Sequence, residues 1–382
     1  MIEPGNEAEV AAAVRDAHAS RTPLRVEGGG TKAGMLRPVQ AADTLTTRGL
    51  SGVVDYSPNE LVVTVRAGTK LGELREVLAG SGQYLTAEPP DTGDGATVGG
   101  TVATNLSGPR RVSAGAMRDQ VMGVRVVNGA GEALRFGGRV LKNVTGLDMC
   151  KLLSGSHGTL GVLTEITLKV LPAPEESGTL VLDGLDPAAG VAALSAALGS
   201  PFGVSGAAWV PLGPTLSGLG LPGPAALVRV EDFRASVSYR LSQLRDRLGG
   251  RMLEGEESRA LWQAVRDSDV LPAGEEDAVW RVSVRPSAGP GVLAAVPDAR
   301  GFLDWGGGLV TLAGAPALHD AVCAAARAAG GVWTVLRGPE PMRAAVHVVP
   351  PETPALAGIT RRVKAALDPG GILNPGRLYA GL

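Results

Sequence analysis

Gly28-Gly29-Gly30-Thr31-Lys32 sets three residues without side chains directly before a hydroxyl and an ammonium. A backbone so bare lets successive N–H groups converge on one anion, and phosphate is the anion that such a nest suits. The other reading is a flexible turn from a strand into a helix. It is not a Walker loop, because Lys32 is followed by Ala33. A second stretch, EPPDTGDGATVGGTVATNLSGPRR (88 to 111), brackets small polar residues between a double proline and a double glycine. There Thr97, Gly99, Gly100, Thr104 and Asn105 would let a flat polar ligand lie against backbone. GSHGTLGVLTE (155 to 165) repeats the theme just before a strand. One such loop is ordinary, whereas three in succession suit one large cofactor. GLGLPG (218 to 223) matches the dinucleotide pattern GxGxxG only in letters, since Pro222 and the AALVRV that follows point to a turn entering a strand.

The elements that must hold these loops follow from periodicity. Val10, Ala13, Val14 and Ala17 share a helix face, and PLRVE then runs as a strand into the first glycine loop. LVVTVRAG (61 to 68) is a strand, followed by a helix carrying Leu71, Leu74 and Leu78, with Thr69 as its cap and Gly80 as its end. VRVVNGAGEALRF (124 to 136) reads as a hairpin turning at Asn128-Gly129. Val162, Ile166, Leu168 and Val170 alternate with polar residues as in a half-buried strand, and LPAPEES (171 to 177) reads as a domain boundary. Beyond it, Val237, Leu241, Leu244 and Leu248 share a helix face, and WRVSV (280 to 284) and LVTLA (309 to 313) are strands. Ile359, Val363 and Leu367 make a last amphipathic helix before the turn-rich DPGGILNPGR.

Composition narrows the function classes. The chain has 382 residues, a formal net charge of -2, and 55 glycines. Nothing in that balance gathers nucleic acid or an anionic membrane surface. Cys150 and Cys323 are the two cysteines, too few and too far apart for a disulfide framework, an iron–sulfur cluster or a cysteine zinc site. No stretch of 18 apolar residues occurs and the start lacks a signal-peptide pattern, so the expectation is a cytoplasmic chain without direct membrane insertion.

Taken in order, VEGGGTK, EPPDTGDGATVGGTVATN, MRDQVMGVRVVNGAGE, KNVTGLDMCKLLSGSHGTLGVLTEITLKVLP and LDPGGILNPGR resemble the FAD-binding domain of the vanillyl-alcohol oxidase, or FAD-linked oxidase, superfamily. AVWRVSVRPS, FLDWGGGLV and GRLYAGL further resemble the FAD-binding E subunits of bacterial glycolate oxidases. The resemblance implies an α+β fold: a PCMH-type FAD-binding domain of two α+β subdomains over residues 1–175, an α+β cap or substrate domain over 178–355, and a tail, 356–382, returning to the FAD domain.

By the same resemblance, Gly28, Gly29, Gly30, Thr31 and Lys32 hold the FAD pyrophosphate. Pro90, Thr97, Val98, Gly99, Gly100, Thr104 and Asn105 line the cofactor, Gly158, Thr159, Gly161 and Val162 meet it by backbone, and Asn374 reaches the isoalloxazine. Thr31 follows the glycines where some relatives place a histidine that bonds the flavin, so non-covalent FAD is expected. Where many relatives carry an acid, this chain has His157, read as a surface or packing residue.

The implied chemistry is oxidation of a small 2-hydroxy acid, which needs a base and a cation for the carboxylate. The sequence names no base. Arg281 and Arg285, alternating on a strand, are the carboxylate candidates, with solvated arginines as the other reading. Trp305 is a pocket wall or plain core. The resemblance implies a glycolate oxidase complex with a second flavin subunit and an iron–sulfur subunit, cytoplasmic or membrane-associated through those partners. A free-standing 2-hydroxy-acid dehydrogenase and a non-catalytic electron-relay or structural subunit are the alternatives. The HxGDGNxH motif of the paralogous subunits is missing, and His319 and His347 read as structural.

Overall fold

A computed structural model of the chain describes residues 1–138 and 147–382. The chain divides into two units, one of Met1–Leu106, Ala116–Ala173 and Pro351–Leu382, the other of Ser107–Gly115 and Pro174–Pro350. Residues 142–146, which open the fourth resembling segment, lie outside the described residues.

In the first unit the helix Glu7–Ser20 starts where Asn6 accepts from the Glu9 N–H at 3.0 Å. Acids in its first turn suit the helix dipole, and Val10, Val14 and Ala17 face the core. The strand Leu24–Glu27 pairs in parallel with Asp43–Thr46, and a core of Val10, Val14, Leu24, Leu45, Val162 and Leu373 packs behind them. A five-stranded antiparallel sheet runs in the order Val53–Ser57, Val62–Arg66, Val162–Lys169, Val121–Val127, Ala133–Gly137. The helix Leu71–Ala79 buries Leu71, Leu74 and Leu78, as its spacing predicts.

Several local details depart from the sequence expectations. Thr69 does not cap that helix: its hydroxyl is tied to both the N–H and the carbonyl of Gly52. The hairpin forms, but its turn spans Asn128 to Glu132, with Asn128 Oδ1 accepting from the Ala130 and Glu132 N–H groups. Gly129 is small because Asp368 packs on it, a Cβ there falling 2.2 Å from Asp368 Oδ1. Val162–Lys169 is a central strand rather than a half-buried one, and its Thr167 is buried because its hydroxyl pairs with that of Thr64 at 2.9 Å.

The second unit is built on an eight-stranded antiparallel sheet, with Arg251–Glu254 and Val332–Arg337 at its edges and Val204–Val210, Arg300–Asp304, Leu309–Gly314 and Ala278–Ser283 consecutive inside it. Val237, Leu241 and Leu244 of the helix Arg234–Leu248 are buried, and Gly178 admits them, since a Cβ there would stand 2.3 Å from Leu241. Leu261, Trp262 and Val265 of the helix Gly255–Asp267 join a core with Leu227, Val210 and Phe302. GLGLPG ends a short helix and leads into the strand Ala225–Asp232, so it forms no dinucleotide turn.

Candidate functional site

The strand Leu24–Glu27 delivers the first glycine loop, where Gly30 has φ +75°. The loop's carbonyls are occupied: Gly28 accepts from the Thr46 hydroxyl and Gly29 from Arg48 at 2.8 Å. Among the described residues the backbone N–H groups of Gly28, Gly29, Gly30 and Thr31 donate to nothing. The lack of side chains has a second cause. A Cβ on Gly28 would fall 2.1 Å from Thr97 Oγ1 and one on Gly29 1.5 Å from the Gly95 carbonyl oxygen. The glycines therefore let the segment around Thr97 close on the loop, and the ligand reading rests on the unspent N–H groups. Thr31 and Thr92 share a hydroxyl contact at 3.0 Å, and the Lys32 ammonium donates to Thr92 at 3.0 Å. Burial pushes Lys32 down to about 8 against the opposing charge of Asp91, and a bound anion would reverse that shift.

The second glycine stretch is mostly turned inward. Thr97 caps the helix Val98–Thr104 by accepting from Gly100 N–H, Val98 donates to the Thr69 carbonyl, and Gly99 donates to that of Ala67. Their N–H groups are thus used within the unit. Thr104 bonds back to the Gly100 carbonyl, and Asn105, at φ +51°, accepts from Arg118 N–H. Pro90 is half-buried beside Pro89, whose carbonyl takes a bond from Arg75.

The third loop and the tail meet at Asn374. Its side-chain amide donates to the carbonyls of Val26 (3.0 Å) and His157 (2.8 Å) and accepts from Val26 N–H (2.8 Å). Asn374 thereby pins the strand before the glycine loop to the loop at His157, using both amide protons on main chain. Gly158, at φ +71°, admits it, since a Cβ would stand 2.8 Å from Asn374 Nδ2. Thr159 bonds back to the Ser156 carbonyl, Gly161 lies against Val126, and Val162 opens the central strand fully buried.

Three residues with no assigned role in the sequence reading complete this arrangement. Lys364 donates to the Thr159 and Leu373 carbonyls and pairs with Asp368 at 2.7 Å, and Asp368 accepts from the Ile372 and Leu373 N–H groups. Arg377 donates to the carbonyls of Lys32 and Arg37. The spacing of Lys364 and Asp368 at i, i+4 was the available signal. His157 is no surface residue: its ring Nδ1 is buried without a partner in the described structure, and burial, then the charge of Arg377, pushes its pKa down to about 3.

In the second unit the two arginine candidates separate. The strand of Arg281 ends at Ser283, and Arg285 lies past it, exposed, before a short helical turn. The pairing expected from alternation fails because the strand stops. Arg281 has a different companion: its guanidinium and that of Arg111 each lie 4.6 Å from the centre of the Trp305 ring. Burial, then the charge of Arg111, lowers Arg281 to about 10, with Asp304 opposing.

His319 is buried between Trp280 and Cys323. Its Nδ1 accepts from the Trp280 indole at 3.1 Å and its Nε2 lies 3.3 Å from Cys323 Sγ, an arrangement that needs the neutral ring with the proton on Nε2. Burial, with the charges of His347 and Arg327, lowers its pKa. The unfolded ring binds a proton more readily than the folded one, so stability is full above about pH 6.5 and is lost as pH falls below it. His157 adds to the same slope. Urea unfolding across this range should show it, and His319→Gln, which keeps one acceptor and one donor, should make it shallower.

A family profile described as an FAD binding domain matches residues 1–137. Glycolate oxidase subunit GlcE of Escherichia coli K12 is 37% identical over 369 residues, covering 97% of this chain and 96% of that protein. The chain belongs to the FAD-linked oxidase superfamily. A D-lactate dehydrogenase of Anaerostipes hadrus is 34% identical over 184 residues, 48% of this chain and 38% of that one. The 4-ethylphenol oxidase of Gulosibacter chungangensis, at 16% identity and a TM-score of 0.70, covers 99% of this chain and 89% of its own, and shows the shared PCMH-type fold. As a member of this superfamily the chain is an FAD-dependent oxidoreductase.

The first unit fits FAD on its own geometry. Four unspent N–H groups, a lysine ammonium and two hydroxyls form a donor set suited to a diphosphate, and the unpartnered His157 Nδ1 is a polar position that a bound molecule can satisfy. No helix among the described residues is long and apolar enough to cross a membrane.

Proposed function

We propose that this chain is the FAD-binding subunit of a glycolate oxidase complex, in which glycolate is oxidised to glyoxylate and electrons leave through a second flavin subunit and an iron–sulfur subunit. The observation that carries this reading is the 37% identity to a glycolate oxidase E subunit along 97% of the chain. FAD supplies the hydride acceptor. Gly28 to Thr31 bind its diphosphate through their N–H groups, Lys32 balances the charge, and Asn374 holds the strand and the His157 loop in register around it. Pro90, Thr97 to Gly100, Thr104 and Asn105 shape the backbone against which it lies, and Gly158, Thr159, Gly161 and Val162 form the opposite wall. Attachment is non-covalent, since Thr31 follows the glycines. Any membrane association runs through the partner subunits.

Acid precipitation of natively isolated protein should leave FAD in the supernatant, and anaerobic glycolate should bleach the flavin of the complex. Colourless native protein, or a flavin that stays oxidised in glycolate, would overturn the assignment. A second reading, an electron-relay subunit, is favoured by the missing histidine motif in the sequence. It predicts that the complex keeps its turnover when Arg281 is replaced by methionine.

A further inference from the structure

We propose that the imidazole of His157, left without a protein partner in the third loop, hydrogen-bonds the bound FAD as an uncharged group. The inference rests on FAD as the cofactor and is independent of the substrate assigned above. The other polar side chains of this loop are tied to main chain. The hydroxyls of Ser154, Ser156 and Thr159 donate to the carbonyls of Cys150, Leu153 and Ser156 at 2.7, 2.8 and 2.7 Å. His157 is the exception: neither nitrogen of its ring has a hydrogen-bond partner among the described residues, and Nδ1 is shut off from solvent. A polar atom left unpaired in the interior is destabilising, and an apolar side chain would fill the same place without that penalty. A partner that arrives with the cofactor removes the penalty.

The backbone holds the ring where it is. His157 N–H donates to the Ala103 carbonyl and its own carbonyl accepts from Asn374, each at 2.8 Å. Fixed from both sides, the residue sits at φ +54°, the left-handed region that a side chain enters only where its surroundings enforce it. The neighbouring Gly158 lies against Val26, since a Cβ there would stand 3.5 Å from Val26 Cβ, and Val26 is two residues ahead of the glycine loop. FAD extends in both directions from its diphosphate, so a molecule seated on that loop reaches past Val26 to the third loop. The N–H groups of Gly158 and Leu160 also donate to nothing among the described residues, which leaves main-chain donors beside the ring. Enclosure by protein, then the charge of Arg377, keeps the imidazole neutral, with its pKa pushed down to about 3. A neutral ring carries one N–H donor and one bare nitrogen, and so meets a carbonyl, a hydroxyl or an N–H of the cofactor without bringing another cation next to Lys32 and Arg377.

The test joins nitrogen NMR of isotope-labelled histidines, before and after FAD is added to the flavin-free protein, with the FAD affinity of two variants. The chain has 4 histidines, so the signals missing from a variant at position 157 assign the ring. At about pH 6, where an ordinary histidine is largely protonated, His157 should report a neutral imidazole, and its nitrogen signals should move when FAD binds. His157→Phe, which fills the space without a hydrogen bond, should weaken FAD about 5- to 10-fold. Should phenylalanine fail to fold in the left-handed conformation, His157→Gly, which suits it, should weaken FAD about 10-fold, and free imidazole should restore most of that loss while leaving wild type unchanged. Ring signals that FAD does not move, or a folded variant that holds FAD as tightly as wild type, would overturn the contact. Wild type that takes up no FAD would overturn the cofactor's placement itself. A holoprotein whose ring signals move with FAD but whose flavin stays oxidised in glycolate would overturn the proposed reaction and leave this contact standing.

Discussion

Gly29→Ala protein should purify without flavin. A methyl group at this position would overlap the Gly95 carbonyl oxygen at 1.5 Å, and main chain cannot swing aside as a flexible side chain can. Either the glycine loop or the segment leading to Thr97 must move. Overpacking of this kind costs about 1–3 kcal/mol in stability, and an equal loss in cofactor affinity is about 5- to 150-fold. The loop's four unspent N–H groups converge only while its backbone holds its conformation, so affinity should suffer at least as much as stability. Gly34→Ala is the control, because a Cβ there meets nothing within 4 Å. Flavin content per mole of protein and the melting temperature of each variant decide the matter. A yellow Gly29→Ala protein with unchanged melting would show that the two segments separate without consequence.

The second large effect is expected from Lys364→Met. Lys364 and Asp368 are almost wholly buried, with side chains 8% and 0% exposed, and the lysine holds two carbonyls besides its carboxylate. Removing one partner leaves Asp368 as an uncompensated charge in the interior, at a cost of about 3–5 kcal/mol. Melting should fall by roughly 2–4 °C for each kcal/mol. The loss also has a local reading. Thr159 and Leu373 lie beside His157 and Asn374, so the clamp on the third loop slackens and FAD should dissociate faster, which the recovery of flavin fluorescence on dilution measures. A variant that melts lower but releases FAD at the wild-type rate would confine Lys364 to stability alone.

The sequence showed what is local. Periodicity placed the helix faces of Leu71, Leu74 and Leu78 and of Val237, Leu241 and Leu244, and the paired runs around Asn128 formed their hairpin. It was less informative where the meaning of a residue depends on a distant neighbour. Gly29 looked bare for the sake of a ligand, yet its missing side chain also makes room for Gly95. The helix Pro354–Leu367 carries an apolar pattern, but Ile359 is exposed and its buried residue is Lys364, since a carboxylate and two carbonyls await the ammonium inside. Arg285 matched Arg281 by alternation until the strand ended between them, while Arg111, 170 positions earlier, had no pattern to connect it to Trp305. Asn374 drew notice for its motif and turned out to spend its amide on main chain.

That amide also orders events during synthesis. Val26 leaves the ribosome 348 residues ahead of its partner, and the entire stretch Pro174–Pro350 is translated in between. Contacts so remote in sequence form late. The later-made sheet is therefore expected to close first, with the strand before the glycine loop unlatched until Asn374 has emerged and flavin loading at the proposed site a late step in maturation.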